Sequence, residues 1–173
     1  LFGSTADVVS AATPLHDMVM PALPAASPAD MLLGNIGGCI GEGSALALLI
    51  GGAILLGRKV ISWRIPATYL GTVAFLTLVF YKGEDPVAWM LYSLLGGGVM
   101  LGALFMATDY VTSPMTSRGM LIYGAGIGII TILIRVWGAY PEGMSFAILI
   151  MNAVVPLINK YVKPKRFGAA AVR

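Results

Sequence analysis

The sequence predicts an all-α, polytopic membrane protein with about five transmembrane helices, and three observations carry that expectation. The first is composition. Of 173 residues, 58% are hydrophobic and only 11% charged, with a mean hydropathy of +0.86. A soluble domain is about 45–50% apolar and about 25% charged. A water-facing globule of this size has too little interior to hide the excess, whereas lipid accepts it. The second is the 22 glycines, because small residues let membrane helices approach closely. The third is a series of five apolar runs joined by short links. The length fits one domain.

The elements follow in order. Residues 1–30 are the long stretch without a membrane-like run, and Met20–Pro28 is rich in Pro and Ala, which predicts an extended connector there. Residues 31–43 are apolar but saturated with glycine, the pattern of a broken or re-entrant segment at the membrane edge. Irregular backbone survives at that depth only where protein or a cavity covers it. The apolar runs are then Ser44–Gly57, Pro66–Phe80, Pro86–Thr108, Gly119–Trp137 and Met144 to about Tyr161. Proline opens the second and third, as suits a first helical turn. Spanning the hydrocarbon takes about 20 residues. The third to fifth runs meet that length, while the first two need their flanks, a tilt or a break. The division is therefore an extracytoplasmic segment at 1–30, a transmembrane helical domain at 31–162 and a basic cytoplasmic tail at 163–173. No signal peptide is expected at Leu1, and the natural protein is expected to extend further upstream.

Charge sets the orientation. Arg58, Lys59 and Arg64 lie in the first helix link, Arg118 in the third, and Lys160, Lys163, Lys165, Arg166 and Arg173 near the C-terminus. Cytoplasmic loops collect Lys and Arg, so the C-terminus is predicted in the cytoplasm of an inner or plasma membrane, with residues 1–43 outside. A membrane anchor explains the basic tail better than nucleic-acid binding. Trp63, Trp89, Trp137 and Tyr140 sit at predicted helix ends, as interfacial anchors would.

Chemistry-bearing residues are few. His16 is the one histidine and Cys39 the one cysteine. That excludes an internal disulfide framework and a Cys-ligated zinc site, and no metal site is expected. Asp109, at the cytoplasmic end of the third run, reads either as an interfacial cap paired with Arg118 or as part of an ion or proton path, since carboxylates at membrane depth are costly and often mark one. Glu42, beside the glycine-rich segment, is equally a surface acid or an ion-path residue. Gly34, Gly37, Gly38 and Gly41 serve helix packing or form a cation-coordinating turn. Arg135 is expected to snorkel to the outer interface.

The segment Asp7-Val-Val-Ser-Ala-Ala-Thr13-Pro14-Leu15 reads from local chemistry alone as a turn, with Ser and Thr hydroxyls on nearby backbone and Pro14 stiffening the exit. It also resembles the flavin-attachment motif of the RnfD/NqrB family of membrane subunits, roughly Asp-x-x-Ser/Thr-Gly/Ala-Ala-Thr. Ala11 stands where Gly is common. Two further blocks are similar to the same family: Gly34-Asn-Ile-Gly-Gly-Cys-Ile-Gly-Glu-Gly-Ser44 and Ala107-Thr-Asp-Tyr-Val-Thr-Ser-Pro114. The match is closest to the RnfD members, from Rnf ferredoxin:NAD+ oxidoreductases, and covers the C-terminal half of their usual length.

That resemblance implies FMN joined to Thr13 by a phosphoester bond, installed by a separate flavin transferase, with Ser10, Ala12, Gly37 and Gly38 around it. It adds a flavin contact to the readings of Glu42, and close backbone approach to a flavin to those of Gly34, Gly37, Gly38 and Gly41. It implies two related helical halves, other Rnf subunits as partners, and electron transfer coupled to Na+ or H+ movement. The chain would then be one subunit of a translocase, not a stand-alone enzyme. A second flavin site stays open. The alternative, from another class, is a redox-free transporter or channel subunit, since glycine-broken segments also mark inverted-repeat transporters.

Overall fold

The computed structural model describes residues 27–34, 43–81, 85–138 and 142–163. Regular structure among the described residues is helical: α1 (Pro28–Leu33), α2 (Ala45–Gly57), α3 (Arg64–Val79), α4 (Pro86–Leu95), α5 (Val99–Leu101, continued as a π-helical turn over Gly102–Met106), α6 (Ser117–Trp137) and α7 (Met144–Tyr161).

Local chemistry explains most boundaries. Ser27 caps α1, its Oγ accepting from the Asp30 N–H at 3.2 Å and donating to Asp30 Oδ2 at 2.6 Å. Pro28 takes the first helical position, where its fixed φ suits the turn. Pro28 is thus helical and not part of the extended connector expected over Met20–Pro28, whose residues 20–26 lie outside the described residues. Ser44 Oγ accepts from the Ala47 N–H to start α2, and Thr116 Oγ1 from the Gly119 N–H to start α6. The second apolar run begins at Arg64, two residues before Pro66. That proline falls within the first turn, where no N–H has an intrahelical partner to lose.

The largest departure concerns the third run. The sequence predicts one span over Pro86–Thr108; the structure breaks it at Gly96–Gly98, and its two parts meet at 62°. Gly97 and Gly98 have φ of 64° and 66°, in the left-handed region that cannot continue a right-handed helix.

By length and composition α6 and α7 can each cross a membrane, and the bent α4–α5 pair makes a third candidate span. The 21 residues of α6 rise about 32 Å, close to the hydrocarbon thickness. α2 and α3, with 13 and 16 residues, are shorter apolar helices. A core of Ile65, Tyr69, Val73, Tyr123, Ile127 and Met151 lies where α3, α6 and α7 meet. Polar groups inside it are paired: Tyr69 Oη and Thr131 Oγ1 share a hydrogen bond at 3.3 Å, and the Tyr123 hydroxyl donates to Asn152 Oδ1. The outward faces are also apolar, with Leu121, Ile122, Leu133, Phe146 and Leu149 exposed. A helix apolar all round is what lipid requires.

Gly124 and Gly128 of α6 set the distance to α3. A Cβ on Gly124 would lie 2.2 Å from Thr68 Oγ1 and 2.9 Å from the Ile65 carbonyl; one on Gly128 would lie 2.7 Å from Thr72 Cβ. This is the small-xxx-small spacing that brings membrane helices together.

Candidate functional site

The glycine-rich segment has a defined root. Gly34 ends α1 with φ of 96°, and a Cβ there would stand 2.7 Å from the Gly43 carbonyl oxygen. Ser44 Oγ donates to the Leu32 carbonyl at 3.0 Å. Gly34 and Gly43, the described residues on either side of 35–42, are thus close together and form a narrow neck. Around Gly43, none of the described residues lies within 4 Å of where a Cβ would be. Among the described residues, bare backbone is therefore presented at Gly43, while Gly34 is closed against it. Gly37, Gly38, Gly41 and Glu42 belong to the segment it closes and lie outside the described residues, as do Ser10, Ala12, Thr13, His16 and Cys39.

α1 seats this neck on the broken helix. Met31, 1% exposed, packs against Trp89 and Tyr92 of α4, with Ala88 and Leu95 alongside. Trp89 is therefore a core residue and not the interfacial anchor expected of it, while Trp63 and Trp137 are 64% and 66% exposed at helix ends. Phe80 and Trp137 meet edge to face at 5.5 Å, tying the end of α3 to the end of α6.

The break in α4–α5 is filled by Arg135. Its Nη1 donates to the Ser93 carbonyl at 2.7 Å, and its Nη2 reaches the carbonyls of Gly96 and Gly97 at 3.3 and 3.4 Å. The snorkelling expected of Arg135 is overturned. The last turn of α4 offers carbonyls that no following helical N–H can reach, and the half-buried guanidinium of Arg135 takes several at once. It also sits at the negative end of the α4 dipole.

Asp109 lies at the other end of α2. The loop that carries it adjoins Lys59 and Ser62 beyond the α2 C-terminus, whereas the glycine neck adjoins Ser44 at the N-terminus. Asp109 is exposed, and its Oδ2 accepts from Thr112 Oγ1 at 3.0 Å. Among the described residues its hydrogen-bond partner is thus Thr112 and not Arg118. No group of His, Cys, Asp and Glu able to hold a metal occurs among the described residues.

Two regions could serve function: bare backbone at the neck, and carbonyls gathered around a guanidinium at the break. The first could admit a flat ring at close range. The second is the kind of unwound, carbonyl-lined backbone that membrane proteins use for ions. Sequence reading marked the glycine-rich neck but missed the role of Arg135. The signal was present in Gly96-Gly97-Gly98, three consecutive helix-weakening residues within an apolar run.

Comparison with known proteins covers nearly the whole chain. The family model described as NQR2, RnfD, RnfE family matches residues 2–168. The D component of the Na(+)-translocating ferredoxin:NAD(+) oxidoreductase complex of Acetobacterium woodii is 47% identical over 92% of this chain and 52% of its own. The D component of the proton-translocating ferredoxin:NAD(+) oxidoreductase complex of Clostridium ljungdahlii is 46% identical, covering 80% of this chain and 42% of its own. The D component of an ion-translocating oxidoreductase complex of Halorhodospira halophila is 41% identical over 95% of this chain and 47% of its own. The chain spans about half the length of the curated relatives it matches.

Proposed function

The chain belongs to the NQR2, RnfD, RnfE family, and from that premise we propose that it acts as the membrane electron-transfer part of an Rnf-type ferredoxin:NAD+ oxidoreductase, with FMN esterified to Thr13. The observation that carries this reading is the 47% identity to the Acetobacterium woodii protein across 92% of the chain. The Asp7–Thr13 motif supports the flavin attachment.

A bound flavin would supply one- and two-electron transfer. Thr13 would tether it through its hydroxyl oxygen, and Ser10 and Ala12 would leave room for the phosphate. The bare backbone at Gly43 supports close approach of a ring beside the segment whose sequence holds Gly37 and Gly38. The basic loops would face the cytoplasm and the Thr13 segment the outside. Other Rnf subunits would be the partners, and a flavin transferase would mature the chain. Identity does not choose the ion, because relatives at 47% and 46% are named for Na+ and for protons respectively.

The test is in-gel fluorescence of the denatured protein, co-expressed with a flavin transferase, followed by peptide mass mapping. An FMN adduct on Thr13 that disappears in Thr13→Ala is expected. A wild-type protein without adduct would defeat the reading. One observation favours the second reading, a redox-free transporter or channel subunit: the broken α4–α5 pair with its carbonyls turned toward a cation. Ion uptake by flavin-free protein in liposomes would support it.

A further inference from the structure

We propose that the cleft between the α2–α3 link and the α5–α6 loop binds the headgroup of an anionic phospholipid, with Lys59 as its cation. The cleft has a volume of about 510 Å³. Lys59 lines it together with hydroxyl-bearing Ser113 and Tyr110, above a floor that includes Ile65 and Met120, while the Ser62 and Thr108 hydroxyls donate to Met120 Sδ and the Leu104 carbonyl. This is the amphipathic lining that a phosphate on an acyl glycerol needs: one cation, a hydroxyl donor and an apolar base. The rim continues the pattern. Tyr110 and Met115 line the cleft and are 92% and 86% exposed, and Val60 is 62% exposed. Exposed apolar side chains beside a basic link suit acyl chains at the membrane boundary.

The backbone supplies an independent reason to single out Lys59. α2 ends in a Schellman turn, with the Val60 N–H donating to the Leu55 carbonyl and the Lys59 N–H to the Leu56 carbonyl, both at 3.0 Å. That turn places Lys59 in the left-handed region at φ of 57°, and Lys59 is the non-glycine residue with positive φ among the described residues. Glycine is the favoured occupant of this position. A chain with 22 glycines puts lysine there instead. Strain kept at one residue that lines a cleft points to a use for its side chain. Arg58 and Arg64 flank the same link and add attraction for an anionic surface. Asp109 does not line the cleft, and its carboxylate is engaged by Thr112.

Glycine is also the cleanest test, because Lys59→Gly removes the ammonium and relaxes the backbone together. The purified full-length protein, stripped of lipid in detergent, is titrated with dioleoyl phosphatidylglycerol or dioleoyl phosphatidylcholine, and retained lipid is counted by native mass spectrometry. Wild type is expected to prefer phosphatidylglycerol. Lys59→Gly is expected to lose that preference by about fivefold or more, and Lys59→Arg to keep it. Lipid-free Lys59→Gly should melt no lower than wild type, which separates lost binding from lost fold. Equal retention of both lipids, or undiminished phosphatidylglycerol retention by Lys59→Gly, overturns the proposal. So does binding of inorganic phosphate without retention of phosphatidylglycerol, which would assign the cleft to a free anion.

Discussion

Glycine does opposite work at two places in this molecule. Along the α3–α6 seam, Gly124 and Gly128 sit in regular helix and matter for the atom they lack, since a Cβ at either would strike α3. At the α4–α5 break, Gly97 and Gly98 matter for the backbone conformation they permit, with φ of 64° and 66°. One pair closes a seam and the other opens a helix. The first places stability in dry packing, and the second leaves carbonyls that need a cation from elsewhere. Glycine content therefore says a chain suits a membrane, but its function follows from whether each glycine is short of space or short of allowed φ.

The largest expected effect comes from breaking the seam. Overpacking a well-filled contact costs about 1–3 kcal/mol per site. Both clashes reach beyond flexible side-chain ends: Gly124 to the Ile65 carbonyl at 2.9 Å and Gly128 to Thr72 Cβ at 2.7 Å. The double substitution Gly124→Ala, Gly128→Ala should therefore cause a large loss of thermal stability in detergent, with both costs felt at once. Gly126→Ala on the same helix should cost less, because its Cβ would meet only the flexible end of Met151. Equal losses at all three sites would show that the seam is not set by those two glycines.

Next comes the break. Arg135→Ala removes a charged donor from the Ser93, Gly96 and Gly97 carbonyls. Hydrogen bonds to charged groups contribute about 1.5–3 kcal/mol each when well formed, and only the 2.7 Å contact to Ser93 is short. A loss of about 2–3 kcal/mol is expected on that scale, felt locally. Hydrogen exchange should quicken in the last turn of α4 and leave the centre of α6 protected. Uniform quickening across both helices would mean that Arg135 stabilises the whole bundle and not the break. Arg135→Lys should recover part of the protection, since one ammonium cannot span three carbonyls as a planar fork does.

A smaller effect is expected at Gly98→Ala. A left-handed conformation costs a residue with a Cβ about 1–2 kcal/mol, and Gly98 adopts it at the start of α5. If the substitution instead straightens the pair, circular dichroism will show added helix. That outcome would make the break a glycine preference and not a requirement of the surrounding fold.

These contrasts explain what the sequence made legible. Apolar runs located α2, α6 and α7 within two residues, because lipid demands continuous apolarity and, for α2 and α6, the side chains of Ser44 and Thr116 cap the first turn. Glycine density at 31–43 marked the neck as a place where helix stops, and Gly34 ends α1 there. The same logic failed over Pro86–Thr108, where total length satisfied a membrane span and masked three consecutive glycines. Arg135 was misread for a related reason. From sequence it had only an interface to reach, because the carbonyls that draw it inward exist only once α4 breaks. The proposed flavin residues Ser10, Ala12 and Thr13 rest on family resemblance alone, because the local chemistry of a Ser- and Thr-bearing segment carries no mark of a cofactor.

The smallest effect, and the sharpest, is expected at Gly71→Ala in α3. Gly71 is exposed, and none of the described residues lies within 4 Å of where its Cβ would stand. In an exposed helix interior, alanine is favoured over glycine by about 0.5–1 kcal/mol, so the substitution should raise the melting temperature slightly. Gly71 lies one helical turn from Phe75 on a shallow groove with Thr68, Thr72 and Ala125, beside the residues that meet Gly124 and Gly128. If Gly71→Ala destabilises the full-length protein, then space at Gly71 is taken by a surface outside the described residues, and Gly71 joins the glycines kept for want of room. If it stabilises, Gly71 belongs to neither class and the groove faces lipid. Measured in the same detergent, the sign of that one change decides whether α3 is closed on one side or on two.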